Sequence, residues 1–288
     1  MAVTSSNIFT QHSRAWRSNR YVYPVISRRS KGLSIGVNLN PDKNCNFDCV
    51  YCSVDRTVAL EYRDVELPIL RDELESLLAL AASGEFFREP PFDQTAPDLR
   101  RINDVAFSGD GEPTSFPQFV AACEMAADAI SKSGLADVKI VVITNATLLH
   151  RPNVQRAMEF LDRHNGEIWA KLDAGTQPYF EFIERTKVPL SRVLANLATA
   201  GAVRPIVIQS LFMHVDGVGP DDAEILAYVE RLAELKTGGC RIKLVQVYTV
   251  ARRTAEDNVT PLSVARLDAI AARIRRLGLT AETFYAPT

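Results

Sequence analysis

Three cysteines lie close together in the chain, at Cys45, Cys49 and Cys52, with the spacing C-x3-C-x2-C. Thiolates are soft ligands that suit iron–sulfur clusters or zinc. The short spacing allows a single loop to present three thiolates to three corners of a cubane cluster. The sequence therefore predicts a metal centre on this loop.

Three kinds of site remain open at this spacing. A structural zinc site and a ferredoxin-type cluster each need four protein ligands, and the nearest histidine is His12. Cys123 lies among residues typical of a helix core, and Cys240 follows two glycines, where a free thiol is expected. The third kind is a [4Fe–4S] cluster with three protein ligands and one open iron, and we prefer this interpretation.

A glycine-rich segment, Ser108-Gly109-Asp110-Gly111-Glu112, follows a predicted strand. Glycines allow the backbone to approach a ligand closely, and a carboxylate can accept hydrogen bonds from an ammonium group. The alternative is a tight Asp-Gly turn without a ligand. Taken together with the cysteine loop, the segment favours the binding interpretation.

The cysteine spacing, with the aromatic Tyr51 directly before the last cysteine, resembles the signature of the radical S-adenosylmethionine (SAM) superfamily. The resemblance implies a [4Fe–4S] cluster on Cys45, Cys49 and Cys52, with SAM chelated to the open iron. It implies reductive cleavage of SAM to a 5′-deoxyadenosyl radical, which abstracts hydrogen from a substrate that the sequence does not identify. An electron donor such as flavodoxin or ferredoxin is also implied.

The glycine-rich segment resembles the Gly-Gly-Glu motif of that superfamily, which binds the SAM amino group, although Asp110 is inserted between the glycines. The resemblance suggests that Tyr51 and Val247 frame the adenine. It also suggests a further set of residues near SAM or the substrate: Asn145, Lys171, Asp173, Gln209 and Tyr248. Of these we interpret Lys171 and Tyr248 as catalytic and the others as cofactor-binding.

A narrower resemblance concerns iron–sulfur oxidoreductases related to the wyosine-tRNA synthesis enzyme. It rests on Arg28-Arg29, on residues 34–38 and on residues 109–113. Wyosine synthesis uses a second cluster on additional cysteines, whereas only Cys123 and Cys240 remain in this chain. Modification of a tRNA base therefore stays an alternative to the preferred function.

The chain alternates short β-branched runs with amphipathic helical stretches, which argues for βα units around a parallel sheet. The superfamily resemblance specifies this fold class as an open, partial β/α barrel of about six parallel strands. Strands are predicted at residues 33–38, 104–108, 138–144, 167–173, 205–212 and 242–249, with a further candidate at 280–285. Helices are predicted at residues 71–82, 118–131, 153–164, 191–200, 221–235 and 262–277.

Polar residues lie at the carboxyl ends of nearly all these strands, the edge where β/α barrels form their active sites. In the fourth strand Lys171 and Asp173 share one face, and Ile168, Ala170 and Leu172 share the other. Burying unpartnered charges is costly. We therefore predict that Lys171 and Asp173 line an interior site, and a salt-bridged core pair is the alternative.

The fold is expected as a single domain in three parts: an N-terminal extension at residues 1–31, the partial barrel at 32–260, and a helix and strand at 261–288 that pack on it. The densest basic run lies at residues 14–31. We interpret this run as a solvated extension, with contact to a phosphate or another anion as the alternative. Residues 1–10 show no signal-peptide pattern.

Composition narrows the function class further. The net charge of -2, with 33 basic and 35 acidic side chains, gives no global signal for nucleic acid, so tRNA is not indicated as a partner. No apolar run is long enough to cross a membrane. Clustered cysteines without a disulfide pattern favour a reducing compartment, and we expect a cytoplasmic protein. A non-catalytic metal-binding or electron-transfer module, and an activase that forms a glycyl radical in a partner protein, remain as alternatives.

Overall fold

An eight-stranded sheet forms the centre of the protein in a computed structural model that describes residues 16–287. The strands of this sheet, in spatial order, are β1 (Val22–Ser27), β2 (Gly32–Val37), β3 (Ile102–Phe107), β4 (Lys139–Thr144), β5 (Gly166–Lys171), β6 (Ile206–Leu211), β8 (Ile242–Tyr248) and β10 (Ala281–Phe284). A separate antiparallel pair consists of β7 (Met213–Val215) and β9 (Val259–Pro261).

Seven helices connect the strands in the described part of the chain: α1 (Leu67–Ala82), α2 (Phe119–Lys132), α3 (Pro152–Leu161), α4 (Gln177–Glu184), α5 (Leu190–Val203), α6 (Asp222–Thr237) and α7 (Val264–Arg275). Short 3₁₀ turns lie at Glu85–Arg88, Phe92–Gln94, Pro97–Leu99 and Pro113–Ser115. Prolines at the first turns of α1, α3 and α4 suit positions whose backbone N–H has no partner within the helix.

The sheet curls into a half-barrel, and this confirms the predicted fold class. Every strand pair from β2 to β10 is parallel, as expected when helices form the crossovers. All seven predicted parallel strands are present, with boundaries within two residues of those expected.

Strand β1 was not predicted, because its residues fall in the segment assigned to the N-terminal extension. It pairs antiparallel with β2, from Val22 opposite Val37 to Ser27 opposite Gly32. Tyr21, Val22 and Ile26 are buried, so this part of the basic run belongs to the sheet. Arg14 and residues 1–10 lie outside the described residues.

The two faces of the sheet differ in chemistry. The convex face carries apolar side chains such as Val105 and Ile168, which join the helices in one large core. The concave face holds only a small apolar cluster, formed by Ala106, Val141, Trp169 and Val207. Strand alternation also turns Asp104, Glu167 and Lys171 to the concave side, so the interior of the half-barrel carries charged side chains beside this apolar cluster.

Within the described residues, no helix has the length and apolar character needed to cross a membrane.

Candidate functional site

The cysteine loop, residues 39–56, follows β2 and docks against the end of helix α4. The backbone N–H groups of Asp48 and Val50 donate to the carbonyl oxygens of Glu184 and Ile183 at 3.0 and 2.9 Å. These carbonyls belong to the last turn of the helix, where they have no partner within the helix itself. Helix α4 therefore fixes the loop by satisfying backbone groups on both sides.

All three loop cysteines are free and half-buried, whereas Cys123 and Cys240 are free and buried. Burial raises the pKa of Cys45 to about 11. Burial, followed by the nearby Glu184 carboxylate, raises the pKa of Cys49 well above its ordinary value. Without a bound metal, both groups are therefore neutral thiols at neutral pH, and metal binding has to displace their protons.

Two adjoining cavities open at this loop. The first, the cysteine cavity, has a volume of about 240 Å³ and is lined by Cys45 and Cys49. The second, the arginine cavity, has a volume of about 250 Å³ and is lined by Cys52 and three arginines. Five residues line both cavities: Ser27, Arg29, Tyr51, Gly109 and Arg252. The three thiols are thus distributed around one composite chamber.

No set of three histidine, cysteine, aspartate or glutamate side chains within residues 16–287 converges as it would on one metal ion. A cubane cluster does not need such convergence, because each thiolate binds a different iron atom. Three free, half-buried thiols on one loop, opening onto a chamber, fit a cluster better than they fit a single zinc ion.

The glycine-rich loop packs directly against the residues that lead into the cysteine loop. A side chain at Gly111 would collide with the carbonyl oxygen of Asn44, and one at Gly109 would collide with Asn38. The inserted Asp110 accepts a hydrogen bond from the Asn38 amide at 2.6 Å. The glycines are therefore required by close backbone packing, and Asp110 fastens this loop to the end of β2.

Glu112 is buried at 3% exposure, and its carboxylate accepts four hydrogen bonds from the chain. Oε1 accepts from the Thr114 hydroxyl at 2.5 Å, the Thr144 hydroxyl at 2.6 Å and the Thr114 N–H at 3.2 Å. Oε2 accepts from the Asn145 N–H at 2.7 Å. Burial raises the pKa of Glu112, and these hydrogen bonds oppose that shift. The carboxylate joins the loop after β3 to the loop after β4.

Asn145 extends this connection to the cysteine loop. Its side-chain N–H₂ group donates to the side-chain oxygen of Asn46 at 2.7 Å. Its own side-chain oxygen accepts from the Thr147 hydroxyl at 2.7 Å and from the Thr147 backbone N–H at 3.1 Å. Three loops are therefore held in one network, with Asn46 next to the first cysteine.

A buried polar cluster surrounds Lys171 at the end of β5. The Lys171 ammonium lies 3.0 Å from Asp173 and donates to the Tyr248 hydroxyl at 2.8 Å. The Tyr51 hydroxyl contacts Asp173 at 2.5 Å and Glu184 at 3.0 Å. The ammonium also lies 4.8 Å from the centre of the Tyr51 ring. Lys171 thus connects one residue of the cysteine loop to one strand end of the sheet.

The charges of this cluster depend on one another. Burial, the largest influence, works to lower the pKa of Lys171, but Asp173, Tyr248 and Glu184 together outweigh it, so the pKa is raised and the ammonium stays charged. Burial and the neighbouring Asp173 raise the pKa of Glu184 well above its ordinary value. Desolvation also raises the pKa of Tyr51. These shifts follow from burial and from the close packing of several titratable groups.

Most of the predicted site residues line the two cavities, in addition to the three cysteines: Tyr51, Ser108, Gly109, Gly111, Glu112, Asn145, Lys171 and Tyr248. Four predicted site residues line neither of them: Asp110, Asp173, Gln209 and Val247. The structure therefore gathers the predicted residues at one edge of the sheet but gives some of them supporting positions.

Asp173 occupies a supporting position. Its side chain has no exposed area. Oδ1 accepts from the Leu211 N–H at 2.7 Å, and Oδ2 accepts from Tyr51. Its oxygens thus hold Lys171 and Tyr51, and the contact of this carboxylate with a bound ligand stays a prediction. The sequence analysis offered an interior site and a salt-bridged core pair as alternatives for Lys171 and Asp173. The structure has features of both, because the two residues form an internal ion pair and Lys171 lines the cysteine cavity.

Gln209 lies on the concave face, as predicted, while Ser210 points to the helices and bonds to Tyr228 at 2.6 Å. The Gln209 amide donates to Gln246 at 2.7 Å, and its carbonyl oxygen has no hydrogen-bond partner in the described structure. The Val247 side chain is buried in the convex core, so only its backbone remains available for the predicted contact with adenine.

The sequence analysis missed two acidic residues of the site, Glu184 and Asp104. Glu184 ends α4, a helix that was not predicted although Thr176 and Pro178 give it an ordinary start signal. Asp104 lies on the concave face, lines the cysteine cavity and accepts from the Ser34 hydroxyl. Burial raises the pKa of Asp104 to about 6. Its position at the start of a strand gave no signal.

Comparison with known proteins points to one family. The family model described as the radical SAM superfamily matches residues 39–232. A UPF0026 protein of Helicobacter pylori strain J99 is 27% identical over 140 residues, or 48% of this chain and 39% of the relative. The UPF0026 protein MJ1312 of Methanocaldococcus jannaschii is 33% identical over 136 residues, or 46% and 35%. The matched regions thus span well under half the length of these curated relatives.

Solved structures show the same fold. A radical SAM methyltransferase from Sphaerobacter thermophilus superposes with a TM-score of 0.61 at 15% identity, covering 92% of this chain and 69% of that one. TYW1 with a lysine–pyruvate adduct bound gives a TM-score of 0.53 at 15% identity, covering 94% and 80%. At these identities the likeness concerns the fold.

Proposed function

The chain belongs to the radical SAM superfamily, and from this premise we propose that its cysteine loop holds a [4Fe–4S] cluster through Cys45, Cys49 and Cys52. Membership makes the protein an enzyme and implies the cluster and SAM as its cofactors. The observation that carries the residue assignment is the placement of three free, half-buried thiols around one chamber, while the other two cysteines are buried in the helix layer.

When bound, the cluster and SAM supply a one-electron cleavage of the SAM carbon–sulfur bond and a radical that abstracts hydrogen from the substrate. The chain's own residues bind, orient and exclude water. The glycine-rich loop brings backbone into the cysteine cavity, which Gly109 and Gly111 both line. Glu112 holds that loop to Asn145, and one lone pair of its Oε2 remains for a SAM ammonium.

Lys171 and Tyr248 have a different task in this proposal. The ammonium is kept charged by Asp173 and lines the cysteine cavity, so it can bind an oxygen atom of SAM or of the substrate. Tyr248 accepts a hydrogen bond from that ammonium and lines the arginine cavity. The pair therefore provides a fixed positive charge and a hydroxyl where the two cavities meet.

Two further parts of the proposal rest on the sequence. A small reductase such as flavodoxin or ferredoxin supplies the electron, as in the resemblance described above. The free cysteines favour the reducing cytoplasm. Wyosine-like modification of tRNA gains no support from the site, because Cys123 is buried in α2 and Cys240 is buried with its thiol on the Leu197 carbonyl.

The proposal is tested by anaerobic reconstitution with iron and sulfide, followed by reduction with dithionite. We expect the electron paramagnetic resonance signal of a reduced [4Fe–4S] cluster, altered by addition of SAM, and formation of 5′-deoxyadenosine. The Cys123→Ala protein is the matched control and should behave as the wild type. A fully loaded cluster whose signal does not respond to SAM would contradict the proposal.

A further inference from the structure

The cysteine cavity contains a carboxylate that the proposed function does not use. Asp104 is 3% exposed, lies near the start of β3 and lines this cavity. It accepts a hydrogen bond from the Ser34 hydroxyl, and Ser34 lies beside it in the β2–β3 pair. Its neighbour across β3 and β4, Lys139, is 41% exposed and contacts Glu167 at 3.2 Å. Within residues 16–287, no lysine or arginine forms an ion pair with Asp104.

Small and aromatic side chains surround this carboxylate in the cavity. The Tyr23 ring lies over Gly36, since a side chain at Gly36 would collide with it. Ala106 and Trp169 belong to the small apolar cluster of the concave face. We call this part of the cavity the Asp104 compartment, and it is formed by Tyr23, Ser34, Gly36, Asp104, Ala106 and Trp169.

The polar atoms of the two aromatic residues already have partners. The Tyr23 hydroxyl lies 3.2 Å from the Ser108 hydroxyl, and the Trp169 indole N–H donates to Glu167 at 2.7 Å. Asp104 is therefore the acidic group of an otherwise largely apolar compartment. A buried carboxylate in such surroundings is unfavourable in its charged form unless a cation is supplied.

The chemistry of the compartment distinguishes between two kinds of cation. A metal ion requires several ligands, and no three histidine, cysteine, aspartate or glutamate side chains converge on one in the described part of the chain. An ammonium group forms a charge-assisted hydrogen bond with a single carboxylate. It is also attracted to aromatic rings. One carboxylate beside Tyr23 and Trp169 therefore fits an ammonium group better than a metal ion.

We propose that the Asp104 compartment binds the protonated amino group of a small-molecule substrate. This inference rests on the proposed function, because the cysteine loop lines the same cavity. Four residues of β3 separate Asp104 from Ser108, where the glycine-rich loop begins, and they span about 13 Å at about 3.3 Å per residue. A substrate held at Asp104 by its amino group can thus extend its remaining atoms toward the loop that we assign to SAM.

The experiment uses the full chain without its cofactors at about pH 7.5, where Asp104 is ionised because its pKa is about 6. The probes are benzylammonium and its neutral counterpart benzyl alcohol, and binding is titrated by saturation-transfer-difference NMR. Asp104→Asn removes the charge and keeps the shape, and Ala106→Val fills part of the compartment. Asp98→Asn is the matched control, because Asp98 is exposed and lines neither cavity. Urea unfolding establishes that each variant is folded.

We expect the wild type and Asp98→Asn to bind benzylammonium more tightly than benzyl alcohol. Asp104→Asn should bind benzylammonium about tenfold more weakly or worse and should bind the alcohol as the wild type does. Ala106→Val should weaken the binding of both probes, because it takes space from both. This pattern would separate the charge of the compartment from its volume.

Several results would overturn the proposal. One is that the wild type does not bind benzylammonium, or that Asp104→Asn binds it equally well. Another is binding that Ala106→Val leaves unchanged, since the probe would then lie elsewhere. Displacement of benzylammonium by SAM would also overturn it, because Asp104 would then belong to the cofactor site.

Failure of the proposed function is visible separately. Cluster loading and the response to SAM are measured on the reconstituted wild type. If no cluster forms while the probe data stand, the proposed function fails and the ammonium site does not. If the cluster and SAM behave as expected and benzylammonium does not bind, only the ammonium site fails.

Discussion

Two lysine–carboxylate groups lie at opposite ends of the concave face, on the same face of β5. At the amino end Glu167, itself 10% exposed, contacts Lys139 at 3.2 Å and Lys243, and these lysines are 41% and 51% exposed. At the carboxyl end Lys171 pairs with Asp173 at 3.0 Å, and their side chains are 16% and 0% exposed. Both groups pair lysine with a carboxylate, and the exposure of the lysines to water differs.

This difference in exposure changes what each ion pair is expected to contribute to the stability of the fold. An exposed pair contributes about 0–1 kcal/mol and costs little to form. A buried pair loses its hydration, and apolar residues in its place often stabilise a protein as well or better. The carboxyl-end pair is therefore poor evidence for stability, and it agrees with the proposed role of a charge beside the cysteine loop.

The largest effect is expected at the cysteine loop itself. Cys49→Ala should abolish the [4Fe–4S] chromophore of the reconstituted protein, because a cluster with two protein thiolates is not retained. We would measure the absorbance of the sulfide-to-iron charge-transfer band and the iron content of the protein. Cys240→Ala is the control, and it should bind the cluster normally. Full iron content in Cys49→Ala would contradict the assignment of Cys49 as a cluster ligand.

The next effect compares the two lysines directly. Lys171→Met leaves Asp173 buried without its cation and should lower the free energy of unfolding by about 3–5 kcal/mol. Lys243→Met, on the half-exposed group, should lower it by less than about 1 kcal/mol. Urea unfolding of both variants measures the difference. Equal losses would show that exposure does not distinguish the two ends.

An intermediate effect concerns pH. The pKa of Asp104 is raised to about 6 by burial, against hydrogen bonds from Ser34 and a weak attraction to Lys139. A raised carboxyl pKa gives stability that is present below about pH 4 and is lost as the pH rises through 6. With about 1.4 kcal/mol for each pKa unit, the loss is of order 3 kcal/mol.

Asp104→Asn removes this titration. The variant should therefore lose less stability than the wild type between pH 4 and pH 7, measured by urea unfolding at each pH. The nearby Glu167 carboxylate also raises the pKa of Asp104, and this is the smallest of the influences on that group. An unchanged pH slope in Asp104→Asn would mean that this carboxyl ionises freely.

The smallest effect is expected at Glu112. In Glu112→Gln one carboxylate oxygen becomes an amide N–H₂ group that faces the Thr144 hydroxyl or the Asn145 N–H. Loss of acceptors for buried donors costs about 1–3 kcal/mol. SAM binding, followed by calorimetry, should weaken as well because the loop loses its carboxylate. Unchanged stability and SAM affinity would show that the four hydrogen bonds are dispensable.

The sequence predicted the parallel strands well, because a strand between two crossover helices is buried on one face and carries a clear pattern of β-branched residues. It failed at β1, because flanking arginines such as Arg20, Arg28 and Arg29 made a paired strand resemble a solvated tail. Antiparallel pairing at the edge of a sheet leaves a weaker pattern than burial within it. The cysteines and the glycine-rich loop were recognisable since their function depends on local spacing.

Long-range partners were the part that could not be predicted. Nothing in the sequence near Asp173 indicates that Tyr51 and Leu211 use its oxygens, and nothing near Cys49 indicates Glu184. Such pairings are set by how the sheet curls and by the helix that follows a strand. A residue can therefore be predicted at the correct edge while its partners there remain unknown.

The docking of the cysteine loop on α4 has a consequence for biosynthesis. About 130 residues separate the cysteines from the carbonyls of Ile183 and Glu184 that hold the loop. At translation rates of about 5–20 residues per second, the ribosome needs roughly 7–26 s to make that stretch. Throughout this interval the three thiols belong to a nascent loop without its anchor. The cysteine loop is thus translated early, but its backbone contacts to α4 can form only after residues 183 and 184 have been made.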